Sequence, residues 1–439
     1  MSFLYKKYMS LLPVFIGKYM PKLNIIFRLN STYFITKKNI SEKFDEDKIF
    51  TEFKKLVSYS IHNIPFYSKF YSDNNFSIDQ LVNFDDISKV PIITKKDLKT
   101  YSLESRISKL NQKGVISNTG GTTGEPLVLY NDIDANARNI AHIHQIWSKF
   151  QYKSTSLILL VAGKNIGDST IIYEPMTNEF VLNLYKDWPT KIKALNILLK
   201  KHNIDFIRGY PSAIYELAIA LEKYSLPCLT NIKKNLKGIF LGSEYPEIKM
   251  RNKIESTFNT ETISWYGHSE LAILAYEKDI KYRYFVFQGS YGFAEAISEN
   301  SKFKLIGTTL HNYVSPLIRY DTGDLINPIT FNSKILESFE ISYGRIGEFV
   351  IDENGTAITL TALIHGRHHK LFEFADYIQV YQIEKGSIII IVTSSDKNLD
   401  CINLFDSTNI KMNIKFKIIE SPIKSKSGKV PLLVQDYPF

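Results

Sequence analysis

Cysteine is nearly absent. The 439 residues hold two, Cys228 and Cys401, far apart and outside any CxxC pair. That argues against a disulfide scaffold and a zinc–thiolate centre, and the chain reads as one from a reducing compartment, the cytoplasm. Long hydrophobic runs are missing too: none approaches the roughly 20 residues needed to span a bilayer. The opening MSFLYKKYMSLLPVFIGKYMPKL has a basic start and a short apolar patch, but Pro13 and Lys18 interrupt it and no small-residue cleavage site follows. It reads as an amphipathic start with weak peripheral membrane contact, not as a signal peptide. There is no internal repeat, no low-complexity linker and no DNA- or RNA-binding motif. The formal charge of +9 therefore reads as a codon preference for lysine spread along the chain, with no nucleic acid as partner.

What is present is an ordinary folding composition. Hydrophobic residues make up 44% and charged residues 23%, and aromatics reach 13% with 27 Tyr and 28 Phe. Such a chain can build real cores, and its length suits two or three domains. Residues 46–72 read as helix. VPIITKKDLKTY carries a helix start with Thr94 as cap. TSLILLVAG, IDFIRGY and LKGIFLGSE are short continuous apolar runs, as in strands buried on both faces, and amphipathic stretches alternate with them. The pattern predicts an α/β core with a largely parallel sheet. After about residue 280 short alternating strands take over, with a hairpin turn at Asn354–Gly355. The last ninety or so residues read as a small α+β unit. The expected division is 1–343 and 344–439.

One stretch, SNTGGTTGEPLVLY from Ser117 to Tyr130, is rich in glycine and hydroxyl groups. It is not a Walker A loop, because Glu125 rather than Lys follows Gly124, and its glycine spacing does not fit a dinucleotide fingerprint. Gly120, Gly121 and Gly124 let backbone approach a ligand. Amides in such turns form an anion nest, and Ser117, Thr119, Thr122 and Thr123 add hydroxyl donors. Polyphosphate is the natural guest, and a tight hairpin turn is the plain alternative.

The loop has company, in a fixed order. FLGSE (Phe240 to Glu244), WYGHSE (Trp265 to Glu270), RYDTGDL (Arg319 to Leu325), GRIGEF (Gly344 to Phe349) and SKSGKV (Ser425 to Val430) follow it. Together these segments resemble the adenylate-forming superfamily of acyl-CoA synthetases, luciferases and nonribosomal adenylation domains. IPFYSKFY, PIITKKDL and the compact C-terminal part look most like its phenylacetate–CoA ligase and CapK-like branch. CapK-like proteins are associated with capsule and surface-polysaccharide loci. The resemblance implies a large N-terminal domain with mixed and parallel sheets flanked by helices, and a small mobile α+β lid.

It also implies ATP-dependent adenylation of a carboxylate, with Mg2+, and acyl transfer to coenzyme A, a carrier-protein phosphopantetheine, or an amine such as an amino sugar. Thr119, Gly120, Gly121, Thr122, Thr123 and Gly124 would hold the phosphates. Glu270 would bind Mg2+, and Asp324 would accept hydrogen bonds from the ribose hydroxyls. Tyr266 and Gly267 would border the adenine, Tyr266 by stacking, with Ser243 and Glu244 beside it. Arg345 would reach ribose or phosphate. Lys429 would arrive late, with the lid, on the carboxylate and α-phosphate. Two departures stand out: Glu125 replaces a common Lys, and Gly347 with Glu348 stands near where relatives carry the hinge acid or Lys. The acyl pocket is expected among Tyr210, Trp265 and His268. His365, His368 and His369 carry an i, i+4 pair but no third ligand at suggestive spacing, so they read as lining the acceptor path or the domain surface. An adenylyltransferase that delivers AMP and a non-catalytic nucleotide-binding protein are the competing readings.

Overall fold

The computed structural model describes residues 12–437 except 42, 111–112, 119–126, 163, 165, 185, 247, 279–283, 288, 300–301, 346–348, 356, 361–362, 365–369, 408–409, 426–429 and 436. The expected helix over 46–72 is two helices, Glu46–Asn63 and Pro65–Asp73. The break is at Ile64, which takes extended backbone (φ −123°, ψ 109°) because the proline ring that follows clashes with a helical conformation before it. Asp45 caps the first helix by accepting from the Lys48 amide. Thr94 and Asp97 form the reciprocal cap of helix Lys95–Lys99.

The strands are β1 Gly114–Asn118, β2 Val128–Asp132, β3 Ile158–Val161, β4 Ile171–Glu174, β5 Glu179–Leu182, β6 Phe206–Gly209, β7 Gly238–Leu241, β8 Thr262–Gly267, β9 Leu274–Glu277, β10 Phe285–Phe287, β11 Gly292–Glu299, β12 Lys302–Thr309, β13 Tyr320–Asn332 and β14 Ile335–Arg345. Twelve of them form one sheet in the order β11-β12-β13-β14-β10-β9-β8-β7-β6-β3-β5-β4. Strands β8, β7, β6, β3 and β5 run parallel. From β8 outward through β9 the pairing turns antiparallel. The fold is thus a mixed α/β architecture with a large sheet flanked by helices and a small C-terminal sheet unit, as expected.

The parallel half is buried on both faces, which is why its strands read as unbroken apolar runs. Leu159, Ile207, Ile239 and Leu241 point to the face covered by helices Trp188–Leu199, Pro211–Tyr224, Leu226–Lys233 and Ile248–Phe258. Ile158, Phe206, Phe240 and Ile263 point to the other face, under Ile143, Ile146 and Trp147 of helix Ala135–Ser148. Trp147 stacks on Phe240 at 4.7 Å, and Phe240 on Phe206 at 4.8 Å. Each such side chain contributes about 1.5–3 kcal/mol by leaving water.

The C-terminal unit has its own core, including Val350, Leu363, Ile378, Val380, Ile388, Ile390 and Val392. It contains the hairpin of β15 Phe349–Ile351 and β16 Ala357–Thr359, turned at Gly355 (φ +85°). Beside the hairpin lies a three-stranded sheet of β17 Tyr377–Glu384, β18 Ser387–Thr393 and β19 Asn413–Ile419. This unit rests on the helix that follows β6. Tyr377 donates its hydroxyl to the Ser212 carbonyl (2.9 Å), Tyr215 donates to Asp376 (3.1 Å), and Lys424 pairs with Glu216 (2.8 Å).

Candidate active site

The parallel and antiparallel halves meet at β8 and β9, and the polar residues gather there. β8 carries Trp265, Tyr266 and Gly267, and the turn after it carries His268 and Glu270. β13 begins at Tyr320 and carries Asp324. Tyr266 is buried against Phe285 and Phe339 and donates its hydroxyl to Asp324 Oδ2 at 2.6 Å. Glu270 Oε1 accepts the Tyr320 hydroxyl at 3.3 Å, and Glu270 Oε2 lies 3.1 Å from His268 Nδ1. The side chains of His268 and Glu270 are 5% and 14% exposed, so this carboxylate is held in a mostly dry pocket. His268 Nε2 is buried without a hydrogen-bond partner among the described residues. Two hydrogen-bonded groups, Tyr266 with Asp324 and Glu270 with His268 and Tyr320, therefore lie side by side, with the Tyr266 and His268 rings 5.9 Å apart.

A second group lies one strand away. The turn after β7 holds Ser243 and Glu244, and Glu244 Oε2 accepts the Ser212 amide at 3.1 Å. Tyr210 leads into the same helix; its amide donates to the Val161 carbonyl at 3.1 Å. The groups touch through Trp265, whose ring fills the space that a Cβ on Gly242 would need (2.7 Å). The other face of Trp265 meets Trp147 edge-on at 5.9 Å.

The turns that carry these residues are strained. Ser243, Leu271 and Arg319 all have left-handed backbone, with φ of +69°, +55° and +48°. For such residues this conformation costs on the order of 1 kcal/mol or more each. At Arg319 the surroundings hold the strain in place. Its guanidinium is 4% exposed, pairs with Glu295 through two nitrogens (2.8 and 2.9 Å), and donates to the Ser88 and Val90 carbonyls. Arg319 and Tyr320 were given no role from the sequence, although both lie in the quoted RYDTGDL segment. The available signal was an arginine next to a buried strand, which needs a carboxylate partner.

Other expected residues fall elsewhere. Thr119, Gly120, Gly121, Thr122, Thr123 and Gly124 lie outside the described residues, as do Lys429, Gly347, Glu348, His365, His368 and His369. The flanks of the glycine loop are described. β1 and β2 pair antiparallel, with Asn118 opposite Val128, and Leu127 belongs to the same core as Tyr266, Ile273 and Tyr320. Arg345 ends β14 opposite Asp324, and its side chain is outside the description. Among the described residues, no group of three or more His, Cys, Asp or Glu is arranged to hold a metal ion. A hard cation that takes one protein carboxylate and several phosphate oxygens needs no such cluster. Glu270, nearly buried and presented by two hydrogen bonds, fits that smaller demand.

No protein-family model matches this sequence. Among solved structures, 2-hydroxyisobutyryl-CoA ligase in the postadenylation state with R3-HIB-AMP superposes with a TM-score of 0.63 at 14% identity, covering 89% of each chain. The same ligase with 2-HIB-AMP and CoA in the thioesterification state gives 0.55 at 15% identity, again over 89% of each chain. At these identities the likeness is one of fold: the chain has the fold of adenylate-forming acyl-CoA ligases. In sequence it is similar to protein CapK of Staphylococcus aureus, 24% identical over 382 residues, covering 83% of this chain and 80% of that one.

Proposed function

We propose that the protein is an adenylate-forming ligase. It joins a carboxylate to the α-phosphate of ATP, releases pyrophosphate, and passes the acyl group to a thiol or an amine. A carboxylate oxygen bonds to the α-phosphorus as the bond to pyrophosphate breaks. The nucleophile is already an anion, so no base is needed; the obstacle is repulsion between two anions, and positioning with charge compensation supplies the acceleration. The observation that carries this reading is the two adjacent hydrogen-bonded pairs, Tyr266–Asp324 and His268–Glu270, where the two sheet halves meet.

Asp324 accepts the ribose hydroxyls, and the Tyr266 hydroxyl, bonded to its Oδ2, orients the carboxylate. With that hydroxyl committed and its ring in the core, Tyr266 borders the nucleotide rather than swinging. Glu270, steadied by His268 and Tyr320, holds Mg2+, which when bound offsets phosphate charge. The glycine loop at 119–124 cradles the phosphates, and Lys429 enters from the C-terminal unit during adenylation. Tyr210, Trp265 and His268 border the acyl group. The small unit, from residue 344 onward, acts as the lid. Likeness to ligases solved with acyl-AMP and CoA supports a thiol acceptor, and likeness to CapK supports a place in surface-polysaccharide chemistry.

The test is carboxylate-dependent exchange of labelled pyrophosphate into ATP, across aryl, fatty, amino and uronic acids. Lys429→Ala should cut exchange by about 10²-fold or more while ATP still binds. Asp324→Ala should weaken ATP binding instead. Exchange at the wild-type rate in both variants overturns the assignment. An AMP-bearing final product would indicate adenylyl transfer in place of ligation.

A further inference from the structure

The basic excess is not spread evenly. Residues 1–41 contain seven of the 54 basic residues and none of the 45 acidic ones. This opening thus holds +7 of the +9 formal charge, and the remaining 398 residues are nearly balanced. Codon preference accounts for the rest of the chain but not for a stretch without a single Asp or Glu.

From residue 12 onward this stretch is described. It runs as helix Val14–Gly17, helix Met20–Asn24, a π-helical segment Ile25–Leu29 and helix Asn30–Asn39. Gly17, Pro21, Ile25, Leu29 and Tyr33 recur every four residues and are buried. They fix the segment to the body. Gly17 lies against the ring of Tyr173, and Ile25, Leu29 and Tyr33 pack on Ala137 and Ala141. The Tyr33 hydroxyl bonds His144 Nδ1 at 2.9 Å, and Asn24 donates to the Met176 carbonyl at 3.3 Å.

The other side is apolar as well, and it faces water. Phe15, Ile16, Tyr19, Leu23, Ile26 and Phe27 are 44–80% exposed, and their spacing makes one helical stripe. Phe34 and Ile35 extend it into the next helix, at 51% and 59% exposure. Eight of the 23 exposed large apolar side chains among the described residues thus fall within 21 positions, which marks a patch rather than scatter. Lysines frame it. Lys18 and Lys22 lie over the ring of Tyr19 at 5.1 and 5.8 Å, and Lys37 and Lys38 are exposed beyond.

An occupant must take apolar side chains and compensate positive charge together. A second copy of this chain would set one cationic patch against another. An anionic bilayer offers an acyl boundary and lipid phosphates in the right order. Among the described residues no helix is long and apolar enough to cross a membrane, so the segment would lie in the interface plane. We infer that residues 14–38 form a docking face for an anionic lipid surface. Phe15, Tyr19 and Phe27 enter the headgroup boundary, and Lys18, Lys22, Lys37 and Lys38 engage lipid phosphates. This inference rests on the surface alone and stands or falls separately from the ligase reading.

Flotation of the full chain with vesicles tests it. Binding is expected to phosphatidylcholine vesicles carrying about 30% phosphatidylglycerol and not to phosphatidylcholine alone, and it should weaken at least tenfold between about 0.1 M and 0.5 M salt. The double variant Phe15→Ser, Phe27→Ser removes only exposed side chains, so its melting temperature should hold while vesicle binding falls about tenfold or more. Lys18→Gln with Lys22→Gln should lower binding severalfold. The inference is overturned if the wild-type chain ignores anionic vesicles, or if the Phe variant binds them equally well. It is also overturned if that variant turns a wild-type dimer into a monomer while neither form binds vesicles, because a second copy then covers the face.

Discussion

The two halves of the twelve-stranded sheet make opposite use of the same backbone pairing. In the parallel half, β3, β5 and β7 are buried at every position, and stacked rings from Trp147, Phe240 and Phe206 fill one face. In the antiparallel half, β13 opens on buried Tyr320, passes through three half-buried positions, and then buries the carboxylate of Asp324 against Tyr266 of β8. Continuous apolar strands give stability but leave no room for polar side chains; alternating strands can offer one face to a ligand. The site sits where one regime gives way to the other, so its residues borrow rigidity from the first half and polarity from the second.

The seam has its own lock, and breaking it should give the largest effect on stability. Arg251, 1% exposed, binds both carboxylate oxygens of Glu277 at 2.5 and 2.7 Å. Glu277 also accepts the Ser264 amide at 2.8 Å, and Arg251 donates to Thr262. The pair therefore joins helix Ile248–Phe258 to β8 and β9. Glu277→Ala leaves the buried guanidinium with only the longer contact to Glu255 (3.4 Å), which should cost about 3 kcal/mol. Chemical denaturation checks it. A double variant, Arg251→Met with Glu277→Leu, should recover much of the loss. If the single variant costs under about 1 kcal/mol, the seam is not held by this pair.

The same contrast explains what was legible in the sequence. The parallel strands β3, β6 and β7 announce themselves because burial on both faces forces unbroken apolar runs, and these were found where expected. The strands β4, β5, β9, β11 and β14 were not read, and the last three pair within the antiparallel half, where alternation is easily hidden. β11 ends on half-buried and exposed residues, and β14 carries charges at Glu337 and Glu340. The break after Asn63 was missed because the helical pattern continues across Ile64; only the Ile64–Pro65 step betrays it. At the site, the order of motifs pointed to Glu270 and Asp324, but nothing local tells that Tyr266 and Tyr320 will bond them. Those partners lie about fifty positions away, and only the sheet order brings them together.

Acid should act mainly through the cover of the parallel half. Burial holds His142 down at about 4 and His144 at about 3. His142 faces Arg138, Ser290 and His311, while His144 faces Tyr33, Lys37 and Arg208. In the unfolded chain both take a proton near pH 6.5. Between these values the unfolded state binds more protons, so their contribution is fully present above pH 6.5 and is lost as pH falls toward 4. Acidification from pH 7 to 4.5 should remove on the order of 5 kcal/mol, about half from each histidine. Melting temperature against pH reads it directly. The His142→Gln, His144→Gln variant should flatten the slope, and an unchanged slope would mean that the loss arises elsewhere.

A subtler contrast lies between the sheet and the small unit resting on it. The Tyr377 ring belongs to the core of the parallel half, and its hydroxyl reaches the Ser212 carbonyl at 2.9 Å. The amide of that same Ser212 donates to Glu244, in the turn beside the proposed adenine site. One residue of the helix start is thus gripped from both sides, by the C-terminal unit and by the site. Tyr377→Phe keeps the ring and removes only the hydroxyl, so it should cost about 1 kcal/mol of stability. If the small unit moves during the reaction, the bond exists in one arrangement and not the other. Adenylation and acyl transfer, measured separately, should then change by different factors, whereas a purely structural bond would lower both together through the folded fraction. Equal changes in the two half-reactions would assign Tyr377 to packing alone.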